Sequence, residues 1–213
     1  MKLGELKKAL YKQLGEALSP FGFSKVRQGS LYRKTDYGWQ AIHVPCANYG
    51  TNLRAKISCS VRHDQVEDLV NELRANNGET KSQLNTGTVG ASLVDLFPEV
   101  TLTWRLWSED DIAQVVEGVV FNLERLCEPL FERFSTLEPT YQMAIRDDKE
   151  SWLHMSSNAK RGMTAVALTI LLDKPNVEKV ISDKVQFMKK IEDLQLDDFL
   201  EFVEYMRPRL TRK

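Results

Sequence analysis

Three cysteines and three histidines are all that 213 residues offer to thiol or metal chemistry, and no apolar run is long. Cys46, Cys59 and Cys127 cannot complete a disulfide framework. Two of them fall in apolar patterns, so buried thiols in a reducing cytosol are the expected state. The longest apolar stretch, "MTAVALTILL" from Met163, falls far short of the roughly 20 residues that cross a bilayer. "MKLGELKKAL" at the start is charged throughout and does not read as a signal peptide. The expectation is a cytoplasmic protein with no membrane partner.

Nucleotide motifs are missing too. The chain has neither G-x-x-x-x-G-K-[ST] nor G-x-G-x-x-G, and "GTVG", Gly87 to Gly90, reads as a bulged strand. His43 and Cys46 stand three apart on a strand and face opposite ways. Cys59 and His63 share a face, but four strand residues span roughly 13 Å, too far for one ion. Neither a metal nor a cofactor is expected. A nucleophile would have to be assembled in space from Cys46 or Cys59 with His43. The acid pairs Asp110–Asp111, Asp147–Asp148 and Asp197–Asp198 fall at helix starts or loops, where acids complement the helix dipole.

What is present is periodicity. Leu3, Leu6, Leu10, Leu14 and Leu18 place an amphipathic helix over Leu3–Ser19, stopped by "SPFGF". The period then shifts to two. "SKVR", "SLYRK", "GWQAIHVPCA" and "NLRAKISCSVRH" read as strands, joined by turns short enough to make neighbours antiparallel. Pro45 belongs at an edge or bulge. Asp64 opens a short helix, with Asp64 and Glu67 at capping-box spacing. "SQLNTGTVGASLVDLF" reads as a distorted strand and "VTLTWRLW" as a clear one. Ser108 caps a long helix that Pro129 should kink, and only helical stretches follow Ser135. The fold class is therefore α+β: an antiparallel sheet of about five or six strands packed by helices. The expected division is an α+β domain over 1–135 and a helical extension over 136–213 packed on it, the whole forming one continuous domain if the two do not separate.

Charge is segregated along this plan. Met1–Arg62 carries +8, His63–Met155 −11 and Ser156–Lys213 +2. In "NLRAKISCSVRH", Leu53, Ala55, Ile57, Cys59 and Val61 share one face, and Arg54, Lys56, Ser58, Ser60 and Arg62 share the other. With Arg105 and Trp107 from the tryptophan strand, Arg54, Lys56 and Arg62 make a candidate binding surface, for phosphates and a stacked base or for an acidic protein. The bland alternative is a solvated face, or one covered by the chain's own acidic helices. Glu109, Asp110, Asp111, Glu117, Glu124 and Glu128 on the long helix would attract a basic partner.

The order of elements resembles the bacterial domain-of-unknown-function family 4304 over roughly Leu3 to Leu137. The likeness rests on Gly22 and Phe23 after the first helix, Tyr32 and Arg33 in "SLYRK", and Trp104 ahead of the long helix. It implies a small cytosolic bacterial α+β domain of a kind suspected of immunity-like, toxin-neutralising roles. The expectation is a non-enzymatic protein-binding module with a protein partner. Nucleic acid on the basic face, or an enzyme site gathered from distant residues, are the alternatives. A homo-oligomer joined through a sheet edge or the helical tail is a further arrangement.

Overall fold

The structure, a computed structural model, describes residues 2–27, 29–81, 83 and 85–210, with the backbone alone at 25–27. The chain is α+β and divides into two compact units. The first holds Met1–Val61 and Gly90–Arg133, the second Arg62–Val89 and Phe134–Lys213.

In the first unit, α1 (Leu3–Leu18) buries Leu6, Leu10, Leu14 and Leu18, the stripe its spacing predicts. A 3-10 turn over Ser19–Phe21 follows, and Gly22 ends it at φ 84°, a left-handed geometry that glycine adopts without strain. The strands are β1 (Lys25–Arg27), β2 (Ser30–Lys34), β3 (Gly38–His43), β4 (Cys46–Asn48), β5 (Leu53–Lys56), β6 (Ser58–His63), β7 (Val89–Ser92) and β8 (Thr103–Leu106). They form two sheets, ordered β1-β2-β3-β6-β7 and β4-β5-β8. Two breaks separate the sheets. Pro45 parts β3 from β4, and its carbonyl accepts from the Lys56 N–H at 3.3 Å. Ile57 parts β5 from β6. Alternation survives the second break: Leu53, Ala55, Ile57, Cys59 and Val61 are all buried.

The inner side of the three-stranded sheet meets α4 (Ile112–Asn122). A Cβ at Gly118 would lie 2.7 Å from the Trp104 ring, so only glycine lets that helix approach. Pro129 does not break the helical run. It stands in α5 (Glu128–Arg133), and the ladder widens to π geometry over Leu123–Cys127 just before it. Arg33 lies between the Phe23 and Phe131 rings, 4.8 and 5.5 Å from their centroids, and forks onto Glu128 at 2.8 Å. The aromatic-Arg strand thus has a structural task, tying β2 to α5.

Two local expectations are corrected. Most of "SQLNTGTVGASLVDLF" is not strand: β7 is short, and Leu93–Leu96 turn as the helix α3. Ser82 and Leu84 lie outside the described residues, as does Gln28 of the "QGS" turn. Nor do Asp64 and Glu67 form a capping box. The helix α2 (Asp64–Asn76) begins after His63, and Glu67 is drawn fully inside by distant partners.

The second unit adds α6 (Leu137–Ala144), α7 (Lys149–His154), α8 (Asn158–Leu171), α9 (Val177–Lys190) and α10 (Leu196–Leu210) to α2. It buries charge. Glu67 receives Lys160 Nζ at 3.2 Å, Asn71 Nδ2 at 3.1 Å and the Thr86 hydroxyl. Asp147 receives Arg161 at 2.9 Å and Lys184 at 2.7 Å. No helix among the described residues is long and apolar enough to cross a membrane.

Candidate binding face of the three-stranded sheet

Pairing fixes which side chains share the outer face of the three-stranded sheet. Ala47 opposes Arg54, and Arg54 opposes Arg105, so one row reads Ala47, Arg54, Arg105. Lys56 opposes Thr103 in the next row on that face. Beyond the arginine row, the Tyr49 N–H donates to the Asn52 carbonyl at 3.0 Å, and Trp107 follows Leu106, the partner of Leu53. Tyr49, Asn52 and Trp107 therefore continue the face by one row.

Both aromatics are open to solvent, Tyr49 at 54% and Trp107 at 58%. The Arg54 guanidinium stacks 4.6 Å from the Tyr49 ring centroid, which holds the fork in place. Arg54 is half-buried, and its Nε has no hydrogen-bond acceptor. Arg105 and Lys56 are exposed. Among the described residues no carboxylate pairs with Arg54, Lys56 or Arg105. Like charges at register-paired positions on neighbouring strands are unfavourable, and an incoming carboxylate beside them would offset that. Asp111 steadies the far end: its carboxylate accepts from the backbone N–H of Trp107 at 2.7 Å and of Ser108 at 3.0 Å.

Four of the five expected residues, Arg54, Lys56, Arg105 and Trp107, thus share this face. Arg62 does not join them. It belongs to the second unit, where its guanidinium donates to Asp64 at 2.6 Å and to the Thr86 carbonyl at 2.9 Å, with Glu67 at 3.8 Å. Tyr49 is the residue that strand alternation alone overlooks. Its signal was the "NYGTN" turn, because carrying the hairpin register one row further places the ring beside Arg54.

The acidic helix is less available than its composition suggests. Asp111 is committed to the Trp107 turn and Glu128 to Arg33. Of the other acid pairs, Asp148 accepts from the Ser151 N–H at the start of α7, while Asp147 serves the buried Arg161 and Lys184.

The nucleophile candidates each have other partners. His43 is clamped between two hydroxyls, Ser30 Oγ 2.8 Å from Nδ1 and Ser60 Oγ 2.7 Å from Nε2. Burial pushes its pKa down to about 4, so the ring is neutral at pH 7 and a weak base. The Cys46 thiol is raised by burial and donates to the Val44 carbonyl. The Cys127 thiol is held well above its ordinary value, first by its hydrogen bond with Cys59 and then by burial. Among the described residues no group of three His, Cys, Asp or Glu could hold a metal ion.

Compared with known proteins, the chain matches no family model, no curated protein and no solved structure.

Proposed function

We propose that the chain is a non-enzymatic, cytoplasmic protein-binding module whose outer sheet face receives an acidic segment of a partner protein. One observation carries the reading: Arg54, Lys56 and Arg105, with no paired carboxylate among the described residues, share one face with exposed Tyr49 and Trp107. Tyr, Trp and Arg are the residues that dominate binding energy at protein interfaces, and here the two arginines share one row of paired strands, with the aromatics one residue past the strand ends. The neutral, hydroxyl-clamped His43 and the raised thiols of Cys46 and Cys127 favour binding over nucleophilic or base chemistry. With the resemblance to family 4304, the partner is read as a toxin to be neutralised.

Nucleic acid is the second reading, and the two aromatics beside cations favour it. Three cations on a chain of net charge −1 weigh the other way, because strand binding draws on many phosphate contacts. Benzoylphenylalanine in place of Trp107, photolysed in the native host, separates the readings. The expected adduct is a protein with an acidic segment, lost when Arg54→Glu is added. A nucleic-acid adduct, or protein adducts indifferent to Arg54→Glu, would overturn the proposal.

A further inference from the structure

A second surface, independent of the sheet face, lies wholly within the helical unit. A cavity of about 420 Å³ opens between α2, α8 and α10. Val70 and Leu73 of α2 and Ala159 and Met163 of α8 give it apolar walls, and Asp198 and Glu201 of α10 stand on its rim. Volume and lining suit the burial of a few apolar side chains.

Its free charge is of one sign. Arg74 is held by Glu79 at 2.6 Å and by Asn71, and Lys160 by Glu67 and the Gly87 carbonyl. Asp198 and Glu201 have no cationic partner among the described residues. They stand three apart on α10 and so face the cavity together.

An exposed leucine adjoins the cavity lining at Gln195. The turn before α10 is anchored to the start of α8, where Ser157 donates to Gln195 at 3.1 Å and Asn158 to Asp193. Between those anchors Leu194 is 98% exposed. A leucine on an anchored turn beside an amphipathic cavity is a contact awaiting a partner.

We infer that this groove docks a basic amphipathic segment of a partner polypeptide, its apolar side chains entering over Met163 and Leu73 and covering Leu194, its Lys or Arg meeting Asp198 and Glu201. A small cation would leave Leu194 bare, and an acidic segment would be repelled by both carboxylates.

The test titrates the full-length chain with a labelled amphipathic Leu–Lys peptide and with its Leu–Glu counterpart. The expected result is saturable binding of the first and none of the second. Charge reversal by Glu201→Lys with Asp198→Asn should weaken it about tenfold. Leu194→Ser, at a side chain the fold does not bury, should weaken it roughly threefold. Glu16→Lys, on the exposed side of α1, should leave it unchanged. The inference is overturned if the Leu–Lys peptide does not bind, or binds the Glu201→Lys, Asp198→Asn chain equally well. A dimer of the chain that Glu201→Lys dissolves would hand the groove to a second copy and overturn it as well.

Discussion

In the first unit a half-buried polar cluster is neutral: His43 lies between Ser30 and Ser60, and the cations Arg54, Lys56 and Arg105 face outward. In the second unit the buried cluster is charged: one carboxylate, Asp147, holds Arg161, 2% exposed, and Lys184, 1% exposed. The difference shows in what each arrangement tolerates. A neutral hydrogen-bonded cluster loses only its bonds when a partner goes, whereas a charged one leaves an ion stranded in low dielectric. The first unit displays Arg54, Lys56 and Arg105 on its sheet face, while the second commits Lys160, Arg161 and Lys184 to Glu67 and Asp147.

The harshest way to break the comparison is Asp147→Ala. It leaves Arg161 and Lys184 facing each other, and a buried pair broken from one side costs about 3–5 kcal/mol. Denaturant titration should show that loss, with hydrogen-exchange protection falling first in α7, α8 and α9. His43→Phe in the first unit should cost less, about 1–3 kcal/mol, because only the two serine hydroxyls are left unsatisfied. Should His43→Phe prove the more damaging, the contrast between neutral and charged cores fails.

The two clusters also titrate in different windows. His43 binds a proton near pH 4 when folded and near its ordinary 6.5 when unfolded. Between those values the unfolded chain holds the extra proton, so the clamp's contribution is complete above pH 6.5 and is lost as pH falls through 4. Lys184, lowered by burial to about 8 from 10.5, behaves alike on the alkaline side. Its unfolded form holds the extra proton between 8 and 10.5, so stability from this group rises with pH across that window and is lost as pH falls through 8. Lys184→Met should flatten the alkaline rise and His43→Phe part of the acid loss, as read by denaturant midpoints. His63, also lowered chiefly by burial, supplies another part of the acid loss.

Local pattern carried much of this into view. Period-two alternation named the buried faces of β5, β6 and β8, and the three- and four-residue steps of leucine named the stripe of α1. Three features escape local pattern. Ile57 keeps the alternation perfect while the chain passes from one sheet to the other, so two sheets read as one. Glu67 has the spacing of a cap, but Lys160, ninety-three residues away, helps hold it inside. Arg62 shares the alternation of Arg54 and Lys56, yet its partners come from α2 and the turn at Thr86. Alternation assigns a face; it does not say whether that face is already occupied.

Arg105→Glu tests the outer face by the smallest change. At present Arg54 and Arg105 are register partners on β5 and β8, and among the described residues no carboxylate pairs with either. Glutamate at 105 would put an acid opposite Arg54 and convert repulsion into a cross-strand pair, worth about 0.2–1 kcal/mol of added stability. A face kept only for folding should favour that exchange. One kept for an acidic partner should lose the partner as stability rises, since the new carboxylate occupies Arg54 and repels the incoming acid. Thermal denaturation and the Trp107 photo-cross-link, measured on the same variant, should move in opposite directions. If stability rises and the cross-link persists, the arginine row is not the recognition element.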